Sequence, residues 1–371
     1  MRFTINRDLL LKSLTFVQGV VERRNTLPIL ANVLLDLKNG KLNIAATDLD
    51  IVFYDEISDL KIFQEGSTTT SANVLYDIIR KISPGTDLSF DLADGKKLSL
   101  KTKVSDFNLN CLPAENFPSI ENEFKNEKLQ VDNKKFLSLL NKTKISMSND
   151  DTRHYLNGVF LHLSEDRSKT FLTGVSTDSH RLSSSSLEIN KPLNFTSLII
   201  PRKTVLLLIN LLSEIDQKIL INSNEDKIEF TLGQIKLVSK VIDGKFPDYK
   251  QVVPQKNNKA LVVPTKEFVD SIERVTTVSL DRKEGLKMDL NKNSLKLSVN
   301  SSNSGEGNEI VNVEYSSDKI SVSFNSKYLL DIASQIEDSK IRMMISDASS
   351  PVLVEDLSDK DSYYVIMPMK F

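Results

Sequence analysis

The chain has 371 residues, 40% hydrophobic and 26% charged, with a formal net charge of −2; it exceeds the roughly 250 to 300 residues at which one core stops growing, so three domains are the default. This balance excludes a collagen-like, heptad or low-complexity chain, and a protein that grips nucleic acid with its whole surface, so any nucleic-acid face must be local. The single cysteine, Cys111, reads as a small buried hydrophobe and rules out a disulfide framework, and no apolar run reaches the roughly 18 residues of a membrane span.

The opening Met1-Arg2-Phe3-Thr4-Ile5 is strand-like and without a signal-peptide core, so a cytosolic protein is expected. Asn6 then caps a first helix with Leu10, Leu14 and Val17 on one stripe, and Lys41-Leu42-Asn43-Ile44-Ala45 alternates as a half-buried strand does. A second helix starts at Ser71, buries Val74, Leu75, Ile78, Ile79 and Ile82, and ends at Ser83-Pro84-Gly85. The strand Lys97-Leu98-Ser99-Leu100-Lys101 and the step Phe117-Pro118 follow, and a polar linker runs from Ile120 to Asn126.

The same outline then returns twice. A helix begins at Asn133 with Phe136, Leu137 and Leu140; a strand, Phe171 to Val175, leads through an Asp-Ser turn to Leu182; a helix starting with Pro201 carries Val205, Leu208, Ile209 and Leu212. Lys227-Ile228-Glu229-Phe230 alternates, Phe246-Pro247 closes the second round, and Val253 to Lys259 is a linker. The third round has a helix at Thr265 (Phe268, Val269, Ile272, Val275), the strand Lys296-Leu297-Ser298-Val299, a helix at Ser326 (Tyr328, Leu329, Ile332, Ala333, Ile336) and Met367-Pro368. Repeats of this kind predict an α+β chain of three similar domains, 1–121, 122–250 and 251–371, each with antiparallel sheets and two covering helices.

The free faces and ends of these helices hold Arg7, Lys12, Arg80, Lys81, Lys134, Lys135, Lys142, Lys144, Arg202, Lys203, Lys266, Arg274 and Lys327. Only Asp8, Asp77, Glu267, Asp270, Glu273 and Asp331 oppose them, three of these on the fifth helix. Most such charges are simply solvated, but their excess on one structural class predicts a basic wall that attracts phosphates without reading bases. The loop Glu22-Arg23-Arg24-Asn25 is a further phosphate-contact candidate.

Catalytic signatures are missing: there is no phosphate loop, GxGxxG, HExxH or paired CxxC, and His154, His162 and His180 lack metal-ligand spacing. Thr177-Asp178-Ser179-His180-Arg181 sets three triad residue types side by side, but adjacent side chains on an extended segment point apart, so a turn is the better reading. A hydrolase built on Asp178, Ser179 and His180, and a scaffold that binds proteins and never meets DNA, are the rival readings.

Six ordered motifs carry a family resemblance: Thr26-Leu27-Pro28-Ile29-Leu30, Ala46-Thr47-Asp48-Leu49, Arg153-His154-Tyr155-Leu156-Asn157-Gly158, Thr177 to Leu182, Asp243-Gly244-Lys245-Phe246-Pro247-Asp248-Tyr249 and Tyr364-Val365-Ile366-Met367-Pro368-Met369. Over its full length the chain resembles the bacterial sliding clamp, the beta subunit of DNA polymerase III. The resemblance implies the DNA clamp fold closed into a ring by a head-to-tail homodimer, a non-catalytic processivity factor without cofactor or metal. Its implied partners are double-stranded DNA, held topologically and without sequence preference, the polymerase III catalytic subunit, the clamp loader, and other clamp-binding polymerases and repair proteins, with no membrane.

It also implies residue roles. DNA contact falls on Arg24, Asn73, Arg80, His154, Tyr155, Arg202 and Lys203. A cleft for partner peptides falls on Leu156, Thr177, Ser179, His180, Arg181, Leu182, Pro247, Asn325, Tyr328, Val365, Ile366, Met367, Pro368 and Met369. The dimer interface sets Phe107 and Leu109, flanked by Lys97, Lys101 and Lys103, against Thr277, Val278, Glu306 and Glu309 of the partner copy. Three positions depart from the family pattern: Asp150 replaces a neutral polar residue, His154 an aromatic hydroxyl, and Ser179 a common glycine.

Overall fold

A computed structural model of the chain describes all residues except 23–26, 93–94, 119–123, 125–127, 167, 190–194, 280–284 and 370–371. All six expected helices form: α1 (Arg7–Val20), α2 (Ala72–Lys81), α3 (Asn133–Lys144), α4 (Arg202–Glu214), α5 (Thr265–Thr276) and α6 (Ser326–Ala333). Asn6 and Ser71 cap α1 and α2 as expected, accepting from the amides of Asp8 and Val74. Elsewhere the caps differ by one residue. Asp132 accepts from the Lys135 amide and Asn325 from that of Lys327, while Asn133 and Ser326 are buried first residues of their helices. Pro201 ends a strand, and Thr265 turns its hydroxyl to the Asp338 carbonyl. A side chain that accepts one of the orphan amides of a first turn defines the cap, and at these two ends it is the residue one position earlier, Asp132 or Asn325, that does so.

The chain divides into two compact units, and the middle repeat contributes to both. The first unit comprises residues 1–137, 193–196 and 203–241. It holds a thirteen-stranded antiparallel sheet in which Ile235–Lys240 pairs with Ile51–Ile57, in register Leu237 with Phe53 and Val238 with Val52. Leu10, Leu14 and Val17 of α1, with Leu75 and Ile79 of α2, are fully buried in it, and Phe3 stacks on Phe90 at 4.8 Å. Each such side chain contributes about 1.5–3 kcal/mol by leaving water.

The second unit comprises residues 138–192, 197–202 and 242–371, with an eight-stranded and a four-stranded sheet. Arg181–Ile189 pairs antiparallel with Ser362–Ile366, so strands from the middle and last repeats share one sheet. Side-chain alternation along Tyr364-Val365-Ile366 sends Tyr364 and Ile366 into the main core and Val365 into a smaller apolar cluster with Leu156, Leu182, Phe246 and Tyr249. That smaller cluster is the floor of the candidate site.

Some sequence expectations fail on packing. Cys111 is half-buried instead of sealed in the core, because among Phe107, Leu109 and Cys111, which share one face of the strand Asp106–Leu112, only Leu109 is fully covered. On α2, Ala72, Leu75 and Ile79 form the buried stripe, whereas Val74 is 47% exposed and Ile78 and Ile82 are only half-buried. Periodicity identifies the apolar face of a helix but not how much of it another element covers.

Candidate functional site

A cleft of about 310 Å³ opens in the second unit over the small apolar cluster. Eight of the residues expected there line it: Leu156, Thr177, Ser179, Arg181, Leu182, Pro247, Val365 and Met367. Tyr155, Asp248, Tyr249 and Val252 also line it and were not anticipated for this site. Three of them fall in or just after the Phe246-Pro247-Asp248-Tyr249 motif, where a 3-10 turn, Tyr249–Val252, folds the segment back and leaves Val252 49% exposed. A mostly apolar concavity with a few oriented polar groups is what a small ligand or a peptide anchor needs.

The other expected cleft residues take different roles. Ile366 is fully buried on the opposite side of its strand and cannot reach a ligand there. Asn325 is occupied as the α6 cap, and the Met369 amide donates to the Ser323 carbonyl at 2.7 Å. His180 and Pro368 are not in the cleft wall; His180 instead donates no side-chain bond to Ser179 or Asp178 and stacks on Tyr328 at 6.4 Å among the described contacts. Tyr328 is not in the cleft wall either, and the Arg181 guanidinium lies over its ring at 4.2 Å.

Arg181 is 8% exposed and bridges Asp178 at 3.1 Å and Asp331 at 2.6 Å. Buried charges of this kind are tolerable only when paired, so the bridge fixes the wall of the cleft rather than offering a cation to a ligand. Asp178 also accepts from the amides of His180 and Arg181, Thr177 Oγ1 donates to the Arg181 carbonyl, and Ser179 is in the left-handed region at φ 76°. The apparent triad is therefore a turn whose carboxylate is consumed by backbone and arginine. The motif Thr47-Asp48-Leu49 in the first unit builds the same turn: Thr47 Oγ1 donates to the Ile51 carbonyl, Asp48 accepts from the amides of Asp50 and Ile51, and Leu49 has φ 78°. Both non-glycine residues sit where strain of about 1–3 kcal/mol is carried by the surrounding bonds.

At the rim of the cleft, Asp150 caps the 3-10 segment Asp151–Leu156 and accepts from Arg153 Nε at 3.0 Å, while Arg153 Nη1 donates to Ser179 Oγ at 2.6 Å. The Thr152 hydroxyl, the Thr152 amide and Arg153 together hold the Asp150 carboxyl below the usual range, so the loop keeps its negative charge at neutral pH. Two of the three departures from the family pattern, Asp150 and Ser179, are thus joined through one arginine.

The basic residues separate into paired and unpaired sets. Arg7 is buried, donating to the carbonyls of Ile79 and Arg80, and ties the end of α2 to α1 instead of facing solvent. Lys142 is buried against Asp359 at 2.7 Å; burial would raise that carboxyl, but hydrogen bonds led by Lys142 hold it below its ordinary value. Lys203 donates to the Val20 carbonyl at 2.9 Å and to Asp48 at 2.5 Å. These three bases therefore correct the expectation of a uniform free wall. Arg80 pairs only with the exposed Asp77, an interaction water weakens, and Lys12, Lys81, Lys135 and Lys327 are exposed with no ion pair among the described residues. Asn73 and Arg202 are half-buried on α2 and α4; His154 donates to the Asp243 carbonyl and packs edge-on to Tyr155, and Arg24 lies outside the described residues.

The expected interface residues fall on the strands Lys97–Lys101, Asp106–Leu112 and Gly305–Asn312, with Lys103 in a loop and Thr277 and Val278 in the turn after α5. In the first unit, Asp106–Asn110 pairs with Lys97–Lys101 on one side and with no described strand on the other. Phe107 is half-buried in a groove of about 1120 Å³ with Val74, Ile78, Ile82 and Lys103, while Leu109, two residues on and on the same face of the strand, is buried in the core. Lys101 pairs with Asp106 at 3.0 Å, and Lys97 is exposed on the neighbouring strand.

In the second unit, Gly305–Asn312 is the last strand of the four-stranded sheet, with Glu306 exposed and Ile310 68% exposed. Gly307 lets this strand lie against α5, since a Cβ there would meet the Val275 carbonyl at 2.7 Å. Glu309 is held as a carboxylate by Arg274 and Ser271 and so is already engaged within its own chain. Thr277 is exposed and Val278 packs partly on the core.

Three family models cover the chain: the N-terminal domain of the DNA polymerase III beta subunit matches residues 1–121, its central domain 130–248 and its C-terminal domain 250–370. The beta sliding clamps of Caulobacter vibrioides and Escherichia coli are 36% and 31% identical to it, each with 100% of both chains covered. Among solved structures, a sliding clamp from Bartonella birtlesii bound to griselimycin superposes with TM-score 0.96 at 38% identity, and the Caulobacter crescentus clamp with 0.94 at 35%, both covering 100% of each chain.

Proposed function

Because the chain belongs to the bacterial sliding clamps, the beta subunits of DNA polymerase III and non-catalytic processivity factors of replication, we propose that two copies join head to tail into a ring around duplex DNA. The observation that carries the proposal is the pair of open strand edges, Asp106–Asn110 with Phe107 at its groove and Gly305–Asn312 with Ile310 exposed. Unpaired edges with apolar side chains are templates for strand addition, and two heterologous joints close a ring of two copies. Lys97 and Lys103 of one protomer then face Glu306 of its partner at the rim, and Val278 and Thr277 border the joint.

In this reading the three domains 1–121, 122–250 and 251–371 give the ring six similar parts. Arg24, Asn73, Arg80, His154, Tyr155 and Arg202 meet phosphates, with Lys203 the weakest of the set because its charge is shared with Asp48. Enclosure supplies retention, so phosphate contacts can stay weak and sliding remains possible.

The cleft over Leu156, Leu182, Val365 and Met367 takes the short, partly apolar peptides of the polymerase III catalytic subunit, the clamp loader and other polymerases and repair proteins, and griselimycin competes for it. The protein works in the cytosol, and no described helix is long and apolar enough to cross a membrane. Light-scattering mass in solution tests the closure: about 84 kDa, twice the 41.8 kDa chain, is expected, and about 42 kDa at micromolar concentration would contradict it.

A further inference from the structure

Behind the cleft lies a buried titratable group, His162. His162 is 7% exposed on the strand Gly158–Asp166, and its ring ends a column in which Phe246 stacks on Phe160 and Phe160 on His162, each at 4.9 Å. Its Nδ1 is 2.8 Å from the Leu163 carbonyl and its Nε2 is 3.1 Å from the Tyr249 hydroxyl. Tyr249 in turn lines the cleft beside Pro247, Asp248 and Val252. We propose that His162 is a positioning residue of the peptide cleft, fixing the Tyr249 wall through a hydrogen bond that only the neutral imidazole can accept.

The proton assignment follows from the partners. A carbonyl only accepts, so Nδ1 carries the hydrogen; in the neutral ring Nε2 is then a bare acceptor and the Tyr249 hydroxyl donates to it. A protonated ring would present a second donor to the same hydroxyl, forcing the phenol hydrogen to find another acceptor in a buried place.

Burial depresses the His162 pKa below 6.5 and the nearby Lys250 charge adds to this, while the Leu163 carbonyl opposes it. The other ionisable groups around the pair are Tyr249 itself, Asp248 and Tyr363. With the folded pKa depressed, the arrangement is complete above about pH 6.5 and is lost as pH falls through the lower folded value.

The inference rests on the cleft being the peptide site, and labelled griselimycin followed by fluorescence anisotropy tests both. At pH 7.5, His162→Phe keeps the ring stack but orphans the Tyr249 hydroxyl, and is expected to weaken binding about tenfold. His162→Gln, whose amide oxygen can still accept, is expected to bind within about twofold of the original chain and to lose less affinity between pH 7 and pH 5. Equal affinity of the Phe variant, or identical pH profiles for the original chain and the Gln variant, would overturn the role of His162. Failure of the original chain to bind griselimycin at any pH would overturn the cleft reading itself, and the inference with it.

Discussion

Phe107→Asp is expected to convert the ring into single protomers. In one chain alone Phe107 is half-buried against Val74, Ile78 and Ile82 in an open groove, so the substitution does little to the fold of the protomer. A partner strand laid on the Asp106–Asn110 edge would cover that groove and take the new carboxylate out of water. A buried aromatic anchor commonly contributes about 2–4 kcal/mol at an interface, and a carboxylate buried in its place adds a desolvation cost of similar size. Two identical joints double the effect, so the dimer should weaken by about a thousandfold or more. Sedimentation should report one chain of 41.8 kDa with a melting temperature within a few degrees of the original. A dimer that persists at micromolar concentration would remove Phe107 from the joint.

Deleting Met367 to Phe371 is expected to abolish stimulation of DNA polymerase III and binding of griselimycin while leaving the dimer intact. The deletion removes Met367, 39% exposed on the cleft wall, and two backbone bonds, Met367 to the His180 carbonyl at 2.8 Å and Met369 to that of Ser323 at 2.7 Å. It spares the ladder, because the last strand ends at Ile366, paired with Arg181, and Val365 and Ile366 keep their places in the two apolar clusters. The interface edges lie elsewhere in the chain. Loss of one apolar wall and of the turn it anchors should weaken a peptide anchor by about a hundredfold. Retained stimulation by the shortened chain would contradict the assignment of the cleft.

Much of the fold was legible because helix caps, apolar stripes and period-2 strands are local signals. Asn6 and Ser71 cap their helices, and the strands around Lys41, Lys97, Lys227 and Lys296 all form. What was not legible depends on contacts between residues far apart in sequence. Lys142 and Lys203 read as free bases, and only the tertiary structure brings Asp359 and Asp48 to them. Leu109 and Ile366 read as accessible because a strand's pattern says neither which face is covered nor how far along that face the cover extends.

Val74 and Ile78 read as core for the same reason, and their partial exposure is what makes the groove beside Phe107. In the cleft, the family motifs supplied Leu156, Leu182 and Met367, whereas Tyr155, Tyr249 and Val252 required the backward fold of the Tyr249–Val252 turn. His162 carried no usable sequence signal, since its partner Tyr249 is 87 positions away.

The central claim is that the protein holds DNA by enclosing it. Its most direct test is retention, after loading, on a nicked circular duplex in salt high enough to release ordinary DNA-binding proteins, compared with the same circle cut once. The account predicts that the protein stays on the circle and is lost within moments of linearisation. Equal loss from both substrates, or equal retention on both, would contradict it.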